Sequence, residues 1–333
     1  MAHYGKEKTM ERLFIRFLTV LAVLCTAVAA NAGTLTLKSP TQGSFLGLSN
    51  QLKFLLTGSV VDVTVKAVLT GPAGTTEQEK TFTPNSENKV DDSLPLNFNE
   101  STPEGNYTLT VSATEPGNTY APKTVTFRVD TVRPKFLEST PGNGQSVKGI
   151  VRVRATLKET NLKSWDVKIN GQAIPNNTGT TTAVAVNWDT SGIEFDGSQS
   201  ITITARDLSG NEAVQNISAT LDRVAPIITI AYPRGDSQVL PGTTIPVLID
   251  IADASTSSID GTGIDVVAKT LTGAYLTRVS RLSVKGSGSN ILRWTGRILF
   301  KAGLLPRKFK ITVTAIDKAG NRAANQEVIV TVR

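Results

Sequence analysis

Ile201-Thr-Ile-Thr-Ala-Arg-Asp207-Leu-Ser-Gly210-Asn211 decides the fold. Its first five residues alternate apolar and polar, the period of a strand with one buried face. Asp207 to Asn211 then supply turn chemistry: a Gly free to adopt positive φ, and Asp and Asn side chains that bond nearby backbone. The phrase returns as Ile311-Thr-Val-Thr-Ala-Ile-Asp317-Lys-Ala-Gly320-Asn321. A degenerate copy, Leu109-Thr-Val-Ser-Ala-Thr-Glu-Pro-Gly117-Asn118, lies upstream. One strand-into-turn unit used three times makes the chain a row of similar β modules.

The joints repeat as well. Val129-Asp130-Thr-Val-Arg-Pro134 matches Leu221-Asp222-Arg-Val-Ala-Pro226, and Thr140-Pro141-Gly-Asn-Gly matches Tyr232-Pro233-Arg-Gly-Asp in the same register. Leu37-Lys-Ser-Pro40-Thr-Gln-Gly43 opens the first copy. These matches predict modules at 33–130, 131–222 and 223–333, the length of whole sandwich domains and too long for solenoid units. Val61-Asp-Val-Thr-Val, Val151-Arg-Val-Arg-Ala and Phe309-Lys-Ile-Thr-Val-Thr-Ala alternate like strands. Asn170-Gly171 predicts a type I′ hairpin. Trp165 and Trp188 read as core or cross-strand packing. The predicted fold class is all-β: three tandem β-sandwiches after an N-terminal signal peptide helix. The joints at 130–134 and 222–226 are short and contain Pro, which restricts bending and predicts an extended array.

Residues 1–32 read as that signal peptide. Met10-Glu-Arg12-Leu-Phe-Ile-Arg16 is a positive region, Phe17 to Ala30 an apolar run, and Ala30-Asn31-Ala32 a small-x-small cleavage site. The run is shorter than the roughly 20 residues of a spanning helix. Export places the mature chain in a secreted, periplasmic or cell-surface location, with no transmembrane span. The only cysteine, Cys25, and the only histidine, His3, leave with the leader. The mature chain then lacks Ser-His-Asp and Cys-His catalysis and the ordinary ligands for zinc and copper.

The remaining carboxylates give no acid/base pattern. Asp91-Asp92 sit in a polar stretch that reads as a loop, and Glu77 and Glu79 alternate on a solvent face. No phosphate-cradling loop occurs, and Gly286-Ser-Gly-Ser-Asn290 reads as a flexible turn. The chain is read as no enzyme. Calcium takes oxygen ligands and needs neither His nor Cys. The junction residues Asp130 and Asp222 and the turn residues Asp207 and Asp317 are the candidate ligands, with Asp250, Asp253, Asp260 and Asp265 clustered nearby in sequence. The competing reading is that these aspartates cap turns.

Charge is unevenly spread. Residues 223–333 carry 15 Lys and Arg against 7 Asp and Glu, residues 131–222 balance at nine each, and residues 33–130 have seven against ten. Arg293, Trp294, Arg297, Lys301, Arg307, Lys308 and Lys310 fall around an expected hairpin and form the candidate ligand-binding set. A basic face of this kind would dock on an anionic glycan, phospholipid headgroups or another envelope polymer; nucleic acid is not an expected partner. The alternative is a solvated face. Convergence of these side chains beside an exposed Trp294 would favour a binder, divergence a spacer.

The Asp-x-x-x-Pro joint, the Pro-x-x-Gly opening and the closing strand into Asp-x-x-Gly-Asn resemble the bacterial Ig-like domains found in tandem on exported and surface proteins. Tyr107 resembles their tyrosine-corner residue; Gln199 and Phe309 stand at the aligned positions, and the first module has Glu115-Pro116 where the turn Asp is expected. The resemblance implies Ig-like sandwiches in a non-enzymatic spacer, adhesion or interaction array. Its implied partners are cell-envelope polysaccharide or other surface proteins. The alternative is a ligand-binding accessory protein that uses the basic third module, stiffened by calcium.

Overall fold

The computed structural model describes residues 33–240, 243–253, 263–278, 283–286, 291–298 and 307–333. The signal peptide expected over 1–32, and with it Cys25 and His3, lies outside the described residues, as do Asp260 and Lys301.

The strands of the first sandwich are β1 Thr34–Ser39, β2 Phe45–Leu46, β3 Ser49–Thr57, β4 Val63–Gly71, β5 Gly74–Phe82, β6 Lys89–Asn97, β7 Gly105–Glu115, β8 Asn118–Thr119 and β9 Lys123–Val129. Those of the second are β10 Lys135–Thr140, β11 Ser146–Val147, β12 Ile150–Lys158, β13 Leu162–Ile169, β14 Gln172–Gly179, β15 Ala183–Asp189, β16 Gly197–Asp207 and β17 Glu212–Leu221. Those of the third are β18 Ile227–Tyr232, β19 Ser237–Val239, β20 Ile245–Ala252, β21 Asp265–Thr270, β22 Tyr275–Arg278, β23 Ser283–Gly286, β24 Ile291–Ile298, β25 Lys308–Thr314 and β26 Gln326–Val332.

One topology recurs. The smaller sheets run β1-β3-β6, β10-β12-β15 and β18-β20-β24-β23. The facing sheets run β2-β9-β7-β4-β5, β11-β17-β16-β13-β14 and β19-β26-β25-β21-β22. In each sandwich the chain crosses from the first sheet to the second at a cis X-Pro bond: Ser39-Pro40, Thr140-Pro141 or Tyr232-Pro233. The short strand that follows pairs parallel with the last strand.

Buried side chains form three separate clusters, one per pair of sheets. The repeated phrase supplies the same layer each time: Leu109, Val111 and Ala113; Ile201, Ile203 and Ala205; Ile311, Val313 and Ala315, all buried. Period-two alternation puts these inward and the intervening Thr outward. Trp165 and Trp188 are core residues, and the Trp165 Nε1–H donates to the Thr181 carbonyl (2.8 Å). The chain divides into two compact units: one runs to Val132 and includes Leu208–Asn211, the other comprises Arg133–Asp207 and Glu212–Arg333.

Local expectations meet mixed outcomes. Gly117, Gly210 and Gly320 each sit at positive φ in their turns, and Asn170-Gly171 closes β13 onto β14 with both φ values positive. Asp91 and Asp92 do not form a loop. They lie in β6, paired along its length with β3, and Asp91 makes an ion pair with Lys38 (2.7 Å). Ladder pairing and the buried Val90 and Leu94 outweigh the low strand propensity of Asp.

The Tyr107 hydroxyl donates to the Pro103 carbonyl (2.8 Å), the expected corner bond. Gln199 reproduces it, its amide donating to the Phe195 carbonyl (3.3 Å), also four residues back. A Tyr107→Phe variant is expected to lose about 1 kcal/mol, the worth of one part-buried hydrogen bond. Urea denaturation checks this, and an unchanged midpoint would mean the corner contributes nothing.

Candidate functional site

The recurring turn Asn does more than close its own loop. In the second unit Asn321 is buried after β25, and its side-chain amide donates to the carbonyl of Asp222 (3.0 Å), the residue that follows β17. The same amide donates to Asp317 Oδ2 (2.8 Å), while the Asn321 backbone N–H donates to Asp317 Oδ1 (2.7 Å). Lys148 Nζ donates to the Gly320 carbonyl (2.6 Å) and to Asn321 Oδ1 (3.0 Å). The end of the second sandwich and the closing turn of the third are thus bonded together through one Asn.

Three carboxylates meet there. Asp222, Asp253 and Asp317 are buried, and one oxygen from each lies within 4.8 Å of the other two. Asp222 is held by its backbone N–H donating to the Val147 carbonyl (3.0 Å), and its Oδ1 accepts from the Val224 N–H (3.0 Å). Asp253 follows β20 directly, and Asp317 is fixed by the Asn321 bonds. Oxygens that share one Ca2+ at about 2.4 Å stand no more than about 4.8 Å apart, so the triad has the dimensions of a partial calcium site. The turn-capping reading also holds, because Asp222 and Asp317 accept local backbone N–H groups.

The first unit repeats part of this. Asp130 is buried after β9, and its backbone N–H donates to the Leu46 carbonyl (3.0 Å). The Asn211 amide donates to the Asp130 carbonyl (2.8 Å), the bond Asn321 makes to Asp222. Glu104 Oε1 accepts from the Val132 N–H (3.2 Å). Burial raises the Glu104 carboxyl above its ordinary value, helped by its hydrogen bond with Asp130 and that group's charge. At the chain's entry, Asn118 Oδ1 accepts from the Gly33 N–H (3.0 Å). Asp207 belongs to the second unit, fully buried at the end of β16.

Of the four expected metal ligands, the structure therefore brings Asp222 and Asp317 together and adds Asp253. In sequence Asp253 stands as one of several clustered acids, and Asn321 and Lys148 are not among the expected junction residues. The repetition of Asn at 118, 211 and 321 was the available signal.

The basic set is dispersed. Arg293, Trp294 and Arg297 lie on β24, whereas Lys308 and Lys310 lie on β25 in the opposing sheet, with Arg307 just before it. The expected hairpin is a crossing between sheets. Trp294 is 4% exposed and part of the core, so Arg293, one residue before it, and Arg297, three residues after it, fall on the other face of the alternation and point outward. Arg293 pairs with Asp250 through two bonds (2.7 and 2.9 Å), and Lys310 pairs with Glu327 (3.1 Å). Lys301 lies outside the described residues.

The Arg293 hydrogen bond and charge hold the Asp250 carboxyl below its ordinary value. A depressed carboxylate contributes stability that is present above its unfolded pKa and lost as pH falls through the folded one. The third sandwich is expected to weaken on acidification below about pH 4. Arg293→Gln is expected to flatten that acid limb, and thermal melts between neutral pH and pH 2 measure it; identical limbs would refute the assignment.

No curated protein matches the chain in sequence. The fibronectin(III)-like modules of Clostridium thermocellum CbhA are similar in structure at 12% identity and a TM-score of 0.39, over 60% of this chain and 94% of that one. Titin I67–I69 is similar at 11% identity and 0.36, over 91% and 99%. An adhesin of an Antarctic bacterium, described as Ca2+-stabilised and ice-binding, is similar at 15% identity and 0.34, over 92% and 75%. Residues 182–329 match the family model of the bacterial Ig-like domain, group 3. The chain is a tandem array of Ig-like sandwiches, similar over residues 182–329 to the bacterial Ig-like domain of that group.

Proposed function

We propose that the chain is a non-enzymatic extracellular spacer or adhesion array whose second and third sandwiches are held in fixed relation. The observation that carries this is the Asn321 bond to the Asp222 carbonyl, braced by Lys148. A buried bond across a short Pro-containing joint restricts the bending that a free linker would allow. A spacer transmits position and force, and a rigid joint suits that task. The divided basic side chains favour this reading over a glycan-binding face in the third sandwich. The experiment that tests it is release of the joint by Asn321→Ala, read as separate unfolding of the two sandwiches.

A second reading deepens the first and rests on the triad. Calcium bound by Asp222, Asp253 and Asp317 would neutralise three buried carboxylates contributed by both sandwiches and lock the joint further. Two carboxylates at such distances repel by about 3–4 kcal/mol at an effective dielectric of 20, a cost that a divalent cation reverses. Its test is the response of the melting temperature to calcium and chelator.

A further inference from the structure

We propose that Arg234-Gly235-Asp236 is a recognition site for a cell-surface receptor that binds a carboxylate through a divalent cation and a guanidinium through an acidic pocket. The proposal rests on the extracellular reading above. The tripeptide forms an exposed turn between β18 and β19. The Ser237 N–H donates to the Arg234 carbonyl (3.1 Å), and the Asp236 N–H donates to the Ile329 carbonyl of β26 (3.2 Å).

The same turn occurs in the other two sandwiches and shows what is unusual here. There the Ser44 N–H donates to the Thr41 carbonyl and the Gln145 N–H to the Gly142 carbonyl, both at 3.1 Å. The third position is Gly in both, at φ 75° for Gly43 and 76° for Gly144. Asp236 takes that position at φ 62°, a left-handed conformation that Gly adopts without steric cost and Asp does not. The middle position differs too. Gln42 and Asn143 accept backbone N–H groups of the last strand, from Thr126 (3.0 Å) and Ser218 (2.9 Å). Gly235 has no side chain to do so. An open groove of about 650 Å³ runs along β18 and β26, lined by Ile228, Ile230 and Val328, with Arg234 and Asp236 at the turn.

Fold requirements therefore explain Gly at the strained position and an amide in the middle, and the third turn has neither. Among the described residues, neither the Arg234 nor the Asp236 side chain has an ion pair or hydrogen-bond partner. Both residues are exposed. An Asp carboxylate is a hard oxygen ligand suited to Mg2+ or Mn2+, and a guanidinium pairs bidentately with a carboxylate. Gly between them lets a partner approach the backbone. A rigid, strand-anchored turn loses little entropy on binding. Receptors of the integrin type read an Arg-Gly-Asp tripeptide through this chemistry.

The test is binding of an Arg-Gly-Asp-directed integrin ectodomain to the immobilised full chain in Mn2+. Saturable binding is expected, abolished by EDTA and competed by the soluble peptide Gly-Arg-Gly-Asp-Ser. Asp236→Glu, which keeps the charge but lengthens the side chain, is expected to weaken binding by roughly tenfold or more, as loss of a central anchor does. Asp236→Gly installs the residue of the sister turns. It is expected to melt at or above the wild-type temperature while losing binding, so misfolding cannot account for the result. Absence of wild-type binding, or equal binding by Asp236→Gly, would overturn the site. Either result leaves the spacer reading standing, because Asn321→Ala tests that through stability alone.

Discussion

Millimolar calcium is expected to raise the melting temperature of the second unit by roughly 5–11 °C over the same protein in chelator. The figure follows from ligand linkage: a site filled at 100 times its Kd gains about 2.7 kcal/mol, and a unit of 150–250 residues moves about 2–4 °C per kcal/mol. Magnesium is expected to do less, since it demands shorter, octahedral contacts and gives up water reluctantly. Asp253→Asn sharpens the prediction because its sign changes with conditions. In chelator it removes one of three buried like charges and is expected to stabilise the fold; in calcium it removes a ligand and most of the shift. Asp222, Asp253 and Asp317 are each buried, so solvent screens these effects weakly. A melting temperature indifferent to calcium, with Asp253→Asn behaving alike in both buffers, would leave the triad as turn caps.

The fold was legible because its main signal is local. Alternation in Ile201 to Ala205 states which side chains face inward, and the Gly-Asn ending states where the strand stops; both needed only a few consecutive residues. The joint was half legible. Asp222 and Asp317 stood out because each recurs in register with another Asp, but Asp253 has no repeat to mark it, and its approach is set by where β20 ends in the folded sheet. Asn321 was visible as a turn residue, yet its bond to a carbonyl 99 positions earlier is a tertiary fact. The basic set failed for the opposite reason. Arg293 and Lys310 are near in sequence, and sequence distance does not tell which sheet a strand joins. β24 pairs with β20 and β25 with β26, and that choice sends neighbouring charges to opposing sheets. The strained Asp236 was equally hidden, since only comparison with Gly43 and Gly144 in three dimensions exposes it as a departure.

Replacing Asn321 with Ala is expected to cost about 2–4 kcal/mol and to uncouple the second and third sandwiches. The side chain serves three partners: it donates to the Asp222 carbonyl and Asp317 Oδ2, and accepts from Lys148. Truncation leaves a buried carbonyl and a buried carboxylate each short of a donor, at about 1–3 kcal/mol per group. Asn321→Asp tests the electrostatics at nearly constant volume. It exchanges the donating amide for a fourth carboxylate beside Asp317, so it is expected to be worse than Ala in chelator and to recover part of the loss in calcium. The readout that separates a joint from an ordinary turn is cooperativity. In the wild-type chain the two sandwiches are expected to unfold in one calorimetric transition, because the bonded joint couples them. In Asn321→Ala the third sandwich, which owns the damaged turn, is expected to melt first and alone. Were both variants to keep a single transition within about 0.5 kcal/mol of wild type, the size of a neutral surface change, Asn321 would be closing its own loop and nothing more, and the two sandwiches would hang together by backbone connection instead of by a lock.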